Sequence, residues 1–109
     1  MAFKFLYDDI YTATGLAASA QTNDIDATFM DKVSAQVEIT TAGGVTWTGV
    51  LQGSNDGVTW VDTQTPTSIT NTVNLIFSIS DATSRYYRVS LVRTSGTLST
   101  VNVRMFAKG

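Results

Sequence analysis

Short stretches in which apolar and polar residues alternate are the feature that most constrains the fold of this chain. In the clearest stretch, every second residue from 73 to 79 is apolar, and the same spacing recurs over 33–39, 85–93 and 98–108. A period of two places alternate side chains on opposite faces of a strand. No apolar stripe with the helical period of about 3.6 residues is sustained along the chain. The pattern therefore predicts antiparallel strands and no long helix.

Composition agrees with a β-rich fold. The 109 residues include 18 Thr, 10 Ser and 11 Val against one Glu and three Lys, which favours β-branched residues over the straight-chain residues of helices. A chain of this length is sufficient for one domain. We predict an all-β fold, an antiparallel β-sandwich or jelly roll of about seven or eight strands. The predicted core consists of the apolar members of the alternating faces: Val37, Ile39, Trp47, Leu51, Val73, Leu75, Phe77, Val89, Leu91, Val101 and Val103.

A turn signal at 54–57, Ser-Asn-Asp-Gly, sets the register of one hairpin. A two-residue turn at 56–57 puts Trp47 and Trp60 on one face and buries Val58 with them. A three-residue turn over 55–57 puts the two tryptophans on opposite faces. We predict the two-residue turn because it separates apolar from polar side chains more completely.

The N-terminal residues differ from the rest of the chain. Asp8 and Asp9 interrupt the apolar stretch that a secretory leader requires, and no run approaches the ~20 apolar residues of a membrane span. We expect residues 1–22 to form an N-terminal arm, or a first strand plus linker, and residues 23–109 to form the sandwich domain. The arm would pack against a neighbouring subunit through three aromatic side chains: Phe3, Phe5 and Tyr7.

The residue inventory excludes most catalytic chemistry. The chain has no His and no Cys, so Ser-His-Asp and Cys-His systems, disulfides and Cys/His zinc sites are ruled out. Seven cationic residues and a net charge of −2 argue against a nucleic-acid partner. We predict a protein that is not an enzyme, with no catalytic residues, no cofactor and no metal.

Three carboxylates near the start of the predicted domain are candidates for a site. Asp24 and Asp26 have the spacing of a carboxylate pair for glycoside hydrolysis, and together with Asp31 they could offer oxygen ligands to calcium. The favoured interpretation is that these residues accept hydrogen bonds from nearby backbone N–H groups where a loop becomes a strand.

The segment 85–93, Arg-Tyr-Tyr-Arg-Val-Ser-Leu-Val-Arg, is the densest charged and aromatic patch. Alternation places Tyr86 and Arg88 on one strand face and Tyr87 on the other. An exposed Tyr-Arg pair is typical of protein interfaces and is also suited to stacking on a sugar ring. A third interpretation is an arginine paired with Asp62 or Asp81 on a solvated sheet face.

Two of these segments together resemble a known pattern. The sequence from Val50 to Trp60, V-L-Q-G-S-N-D-G-V-T-W, and that from Ser84 to Thr97, S-R-Y-Y-R-V-S-L-V-R-T-S-G-T, resemble small tailed-bacteriophage virion proteins of the head-decoration or minor capsid type. They also resemble the discoidin, or galactose-binding-like, β-sandwich. The similarity extends from about Asp24 to the end of the chain. Discoidin domains are usually longer and often join their termini through cysteines, which this chain lacks.

The resemblance implies a virion component, made and assembled in the host cytoplasm. It would bind other virion proteins, including the major capsid protein, and copies of itself, with no nucleic acid or membrane as partner. The alternative is a carbohydrate-binding module of a phage fibre or other surface protein. An exposed aromatic side chain in a concave polar site would favour the glycan, and a flat aromatic surface would favour subunit contacts.

Overall fold

The computed structural model describes residues 5–109, with side chains described from Tyr11 onward. These residues form two antiparallel sheets packed face to face, which confirms the all-β sandwich. The strands are β1 (Phe5–Leu16), β2 (Ala20–Gln21), β3 (Ile25–Asp26), β4 (Lys32–Thr40), β5 (Thr46–Ser54), β6 (Val61–Asp62), β7 (Thr67–Ile69), β8 (Val73–Ile79), β9 (Tyr86–Ser95) and β10 (Leu98–Lys108). Residues 5–109 thus form ten strands where the sequence predicted seven or eight. Four of the ten, with two or three residues each, are too short to show alternation. No helix within residues 5–109 is long and apolar enough to cross a membrane.

The two sheets differ in how their edges are built. The first sheet has the order β1-β10-β4-β8, so long strands form both of its edges. The second sheet has β9 and β5 at its centre. Two short strands, β2 and β3, pair with the outer side of β9, and two others, β6 and β7, pair with the outer side of β5.

Register within the first sheet aligns the predicted apolar faces. Val37 of β4 lies opposite Val103 of β10 on one side and Leu75 of β8 on the other. The alternation of the three strands therefore produces one apolar surface, which packs on the inner face of the second sheet. Nine of the eleven predicted core residues are buried, and the other two, Val73 and Leu75, are only partly buried. Both belong to β8, and no strand within residues 5–109 lies on its outer side to complete their burial.

The predicted two-residue turn after β5 is wrong. Gly53 pairs with Val61, so residues 54–60 form a longer loop between them. Val58 is 81% exposed and Trp60 is partly exposed, whereas Trp47 is fully buried. The physical reason is that side chains at the start of the loop bind its backbone N–H groups, which therefore do not need partners in a sheet ladder.

Gly49 lies in the middle of β5, where side chains of β7 and β9 come close to the β5 backbone. A Cβ atom at this position would lie 3.3 Å from both Ile69 Cδ1 and Leu91 Cδ2. Glycine thus allows the side chains of β7 and β9 to meet over β5.

The N-terminal strand pairs within the chain. β1 runs antiparallel to β10 from Phe5 opposite Lys108 to Leu16 opposite Leu98, with a register shift between Asp9 and Tyr11. Residues 17–19 then carry the chain from the first sheet to β2 in the second.

Candidate interaction surface

The loop that follows β5 is organised by two side chains. Ser54 Oγ accepts hydrogen bonds from the backbone N–H groups of Asp56, at 3.3 Å, and Gly57, at 2.9 Å. The Asp56 carboxylate accepts bonds from the backbone N–H groups of Val58, at 2.9 Å, and Thr59, at 2.8 Å, and from the Ser54 hydroxyl at 2.9 Å. These bonds favour the charged carboxylate, and they lower the pKa of Asp56 to about 2. The loop therefore has a defined shape that positions Trp60.

Trp60 lies beside an arginine on the outer face of the second sheet. The Arg88 guanidinium carbon is 4.3 Å from the centroid of the Trp60 ring, within the range of a cation–π interaction. Arg88 Nε donates to Gln52 Oε1 at 2.9 Å, and Gln52 Nε2 donates to Asp62 Oδ1 at 2.9 Å. Gln52 of β5 lies opposite Arg88 of β9 on one side and opposite Asp62 of β6 on the other. The strand register alone therefore brings these three side chains together. Burial lowers the pKa of Arg88, and the charge of Asp24 opposes that shift.

Tyr86 lies next to this row on the same face of β9. Its ring would be 3.7 Å from a Cβ atom added at Gly57, so it packs against the loop after β5. The Arg85 guanidinium carbon is 4.9 Å from the Tyr86 centroid. The backbone N–H of Arg85 donates to Asn55 Oδ1 at 3.0 Å, which ties the start of β9 to the same loop. We call the group of Trp60, Tyr86, Arg88, Gln52 and Asp62 the aromatic surface.

The two adjacent tyrosines have different roles. Tyr87 is buried in the core, and its hydroxyl accepts a hydrogen bond from the backbone N–H of Ser84 at 3.0 Å. Tyr86 is partly exposed on the opposite face. The alternation in the sequence predicted this division. The sequence did not predict that Trp60 lies on the aromatic surface. The predicted two-residue turn at 56–57 placed Trp60 in the core.

The predicted site residues lie in two separate places. Tyr86 and Arg88 belong to the aromatic surface of the second sheet. Phe5 and Tyr7 lie in β1 of the first sheet, where their backbones pair with Lys108 and Phe106 of β10. Phe3 lies outside the residues that the structure describes. The structure therefore does not join the N-terminal residues and the β9 pair into one site.

Asp26, one of the three candidate carboxylates, serves local structure. Asp26 Oδ1 accepts from the backbone N–H of Thr28 at 3.0 Å and from its hydroxyl at 2.5 Å, and Asp26 forms an ion pair with Arg85 at 3.5 Å. The hydrogen bonds from Thr28, and secondarily the charge of Arg85, lower the pKa of Asp26. Arg85 thus pairs with Asp26, whereas the sequence suggested an arginine paired with Asp62 or Asp81. Among the side chains of residues 11–109, no three His, Cys, Asp or Glu form a group that could hold a metal ion.

Two open depressions lie elsewhere on the described surface. One, of about 330 Å³, is on the outer face of the first sheet and is lined by residues that include Lys32, Ser78 and Phe106. The other, of about 270 Å³, lies between the loops at one end of the sandwich and is lined by residues that include Phe29 and Asn55. Trp60, Tyr86 and Arg88 line neither of them. The aromatic surface is consequently not part of either depression.

Comparison with known proteins shows the fold. No family model and no curated protein matches the chain. The SPBc2 prophage-derived protein YomS is similar in structure, with a TM-score of 0.70 and 9% identity over 100% of this chain and 96% of that one. The PBSX exported protein XepA has a TM-score of 0.71 and 16% identity, over 94% of this chain but only 36% of its own.

A protein of the Bacillus endospore appendages, which form disulfide-linked pili, has a TM-score of 0.62 and 16% identity over 99% of this chain and 89% of that one. At these identities the likeness establishes a common β-sandwich fold.

Proposed function

We propose that this protein is a non-enzymatic structural component of a bacteriophage virion, a capsid-decorating or minor capsid protein that acts through protein–protein contacts. Its partners would be other virion proteins, including the major capsid protein, and copies of itself. It would be made and assembled into the particle in the host cytoplasm.

The aromatic surface is the observation that carries this proposal. Trp60 and Tyr86 are partly exposed on a sheet face and lie outside the two depressions, and Arg88, whose guanidinium lies over the Trp60 ring, is held by hydrogen bonding to Gln52. Tyrosine, tryptophan and arginine are the residues most enriched among those that dominate the energetics of protein interfaces. Because the loop and the glutamine already order these side chains, little conformational entropy is lost when a partner binds.

The fold supports the same role. The match to the prophage-derived protein YomS spans nearly the whole of both chains, and the PBSX exported protein XepA provides a second likeness. Appendage proteins with a similar fold form disulfide-linked pili, so the sandwich is compatible with repetitive assembly. The present chain has no cysteine, and its contacts would be non-covalent.

The N-terminal segment is the second part of the proposal. We propose that residues 1–22, including Phe3, Phe5 and Tyr7, contribute to docking on a larger shell. Deletion of residues 2–20 is expected to weaken binding to particles, measured by co-sedimentation, with circular dichroism showing whether the shortened chain folds. Tyr7→Ala provides a milder variant. Unchanged binding by both variants would contradict this part.

A glycan-binding role is the second candidate, and the depression between the loops favours it. Phe29 is 80% exposed there, beside the polar side chains of Thr28, Asn55 and Thr83. An aromatic ring beside amide and hydroxyl groups is an arrangement that binds sugar rings. Binding to a glycan array that is lost in Phe29→Ala and retained in Trp60→Ala would favour this candidate.

Quantitative mass spectrometry of purified particles tests the virion role directly. We expect the protein in a fixed copy number per particle. Particles that lack the protein should rebind the purified chain, and Trp60→Ala or Arg88→Ala should weaken that binding by about tenfold or more. Val92→Ala, on the same strand as Arg88 but outside the aromatic surface, serves as the control. Absence of the protein from particles would contradict the proposal.

A further inference from the structure

β8 is an edge strand whose outer side is open. No strand within residues 5–109 pairs with it on the side away from β4. Its inward-facing residues Val73, Leu75 and Ile79 are only partly buried, although their equivalents in β4 are fully buried. On the outer face, Ile76 is 71% exposed. The edge thus presents unpaired backbone groups together with apolar side chains.

This edge lacks the features that normally prevent strands from pairing. The β8 sequence, V-N-L-I-F-S-I, has no charge, no proline and no glycine, and its register with β4 continues without a shift from Val73 to Ile79. Lysine, proline and bulges are the usual protections of exposed edges. The opposite edge of the same sheet, β1, has two consecutive aspartates and a register shift beside them. The two edges of this sheet are therefore not equivalent.

The sequence of β8 is complementary to itself in the antiparallel direction. Reversed about Ile76, it places Val73 opposite Ile79 and Leu75 opposite Phe77 on the inner face. On the outer face it places Asn74 opposite Ser78, and Ile76 opposite its own symmetry mate. Apolar residues thus meet apolar residues, polar meet polar, and no charges are opposed.

We propose that two copies of this protein pair through β8, antiparallel about a two-fold axis at Ile76, so that their first sheets join into one continuous sheet. The occupant of the edge is a second copy because the β8 sequence supplies this symmetric match to itself. Pairing would satisfy the open backbone groups and cover Val73, Leu75 and Ile79. The inference does not depend on the virion role.

Single cysteines test the axis directly, because the chain has none of its own. In this register the Cα atoms of the two copies of residue 76 are about 4.5–5.5 Å apart, within the range that a disulfide spans. The two copies of residue 74 are separated by four residues along the strands, about 14 Å. Under mild oxidation, Ile76→Cys should form a covalent dimer and Asn74→Cys should not. An equimolar mixture of Asn74→Cys and Ser78→Cys should form mixed dimers.

Charge exchange provides a second test. Ile76→Lys and Ile76→Glu should each weaken dimerisation by about fivefold or more, since like charges then face each other across the axis. A mixture of the two variants should dimerise again. Val58→Lys, at an exposed apolar position on a loop, should leave the dimer unchanged. The mass is measured by analytical ultracentrifugation over a range of concentrations, with a urea midpoint to show that each variant is folded.

Several results would overturn the proposal. These are a chain that stays monomeric at all concentrations, a dimer that Ile76→Lys does not weaken, and equal crosslinking of Ile76→Cys and Asn74→Cys. Masses beyond the dimer without Ile76→Cys crosslinking would instead show head-to-tail pairing of β8 with β1. Any variant that does not fold is replaced by the cysteine series, which leaves the strand uncharged.

Discussion

The edges of the second sheet and the β8 edge of the first sheet are built in opposite ways. In the second sheet, β2 and β3 cover β9 with a gap between them, which Thr22 fills: its hydroxyl accepts from the backbone N–H of Val89 at 3.0 Å. On the other side, Thr63 fills the gap between β6 and β7, and its backbone N–H and hydroxyl both donate to the carbonyl of Leu51. β8 has neither a covering strand nor a side chain of this kind within the described residues.

The difference shows how a threonine-rich sequence can close a sheet edge without a full strand. A hydroxyl next to the backbone satisfies one ladder group where the chain leaves the sheet, and the interrupted edge offers no continuous template to another chain. A continuous uncharged strand such as β8 offers such a template. Under the two proposals above, the second sheet would contact a partner through its outer face, and the first sheet would contact one through its β8 edge.

The largest expected loss of stability comes from a comparison of two leucines that both face the core. Leu51 lies in the middle of the second sheet and is fully buried, whereas Leu75 lies on β8 and is partly buried. We expect Leu51→Ala to lower the free energy of unfolding by about 2–5 kcal/mol and Leu75→Ala by about 1–2 kcal/mol. Urea denaturation at low protein concentration measures both. Equal losses at that concentration would mean that the β8 edge is already covered in the monomer.

Substitutions of Thr22 test how the edge of the second sheet at β9, covered by β2 and β3, is stabilised. Thr22→Val retains the shape of the side chain but leaves the backbone N–H of Val89 without its acceptor, and we expect a loss of about 1–3 kcal/mol. Thr22→Ser keeps the hydroxyl and should lose less. Urea midpoints and hydrogen exchange at the Val89 amide provide the measurements. If serine and valine were equally destabilising, packing and not the hydrogen bond would hold this edge.

Substitution of Asp56 tests the loop that leads from the second sheet to Trp60. The loss of stability should be smaller than for Thr22→Val because the Asp56 carboxylate is exposed to solvent. The folded-state pKa is lowered from 3.8 to about 2, so the charged form stabilises the native state above pH 3.8 and this contribution is lost as the pH falls towards 2. Asp56→Asn should therefore show a flatter dependence of the melting temperature on pH in this range. Parallel pH profiles for the two proteins would contradict the assignment.

The smallest expected change is at the aromatic surface. Arg88→Ala removes the cation over the Trp60 ring, and we expect it to lower the free energy of unfolding by only about 0.5–1 kcal/mol. Acrylamide should then quench Trp60 fluorescence more strongly. Trp60→Phe, which leaves only the buried Trp47, gives the Trp47 signal that is subtracted to obtain the signal of Trp60. Unchanged quenching in Arg88→Ala would show that the guanidinium does not shield the ring in solution.

Local pattern was sufficient to predict most of the fold. Alternation identified β4, β8, β9 and β10, and it separated the buried Tyr87 from the partly exposed Tyr86 before any contact was known. This works because the pleat of a strand imposes a period of two on side chains wherever the strand lies.

The same reasoning predicted only part of the aromatic surface. Tyr86 and Arg88 followed from alternation along β9. Trp60 did not, because its position depends on how Ser54 and Asp56 bind the backbone of the loop, and the turn sequence also permits a shorter turn. A signal was nevertheless present, since serine and aspartate spaced two residues apart before a glycine are typical of side-chain-stabilised loops.

The sequence by itself therefore determined the strand faces, the composition of the core and the absence of cysteine and histidine chemistry. Tertiary structure alone decided which strands became edges, and with that the partial burial of Val73 and Leu75 and the openness of β8. The physical reason is that the two properties depend on residues at different separations along the chain. Which side chains share a face is set between neighbours in the chain, but which strand has a partner on each side depends on pairings such as that of β1 with β10, made across the whole length of the chain.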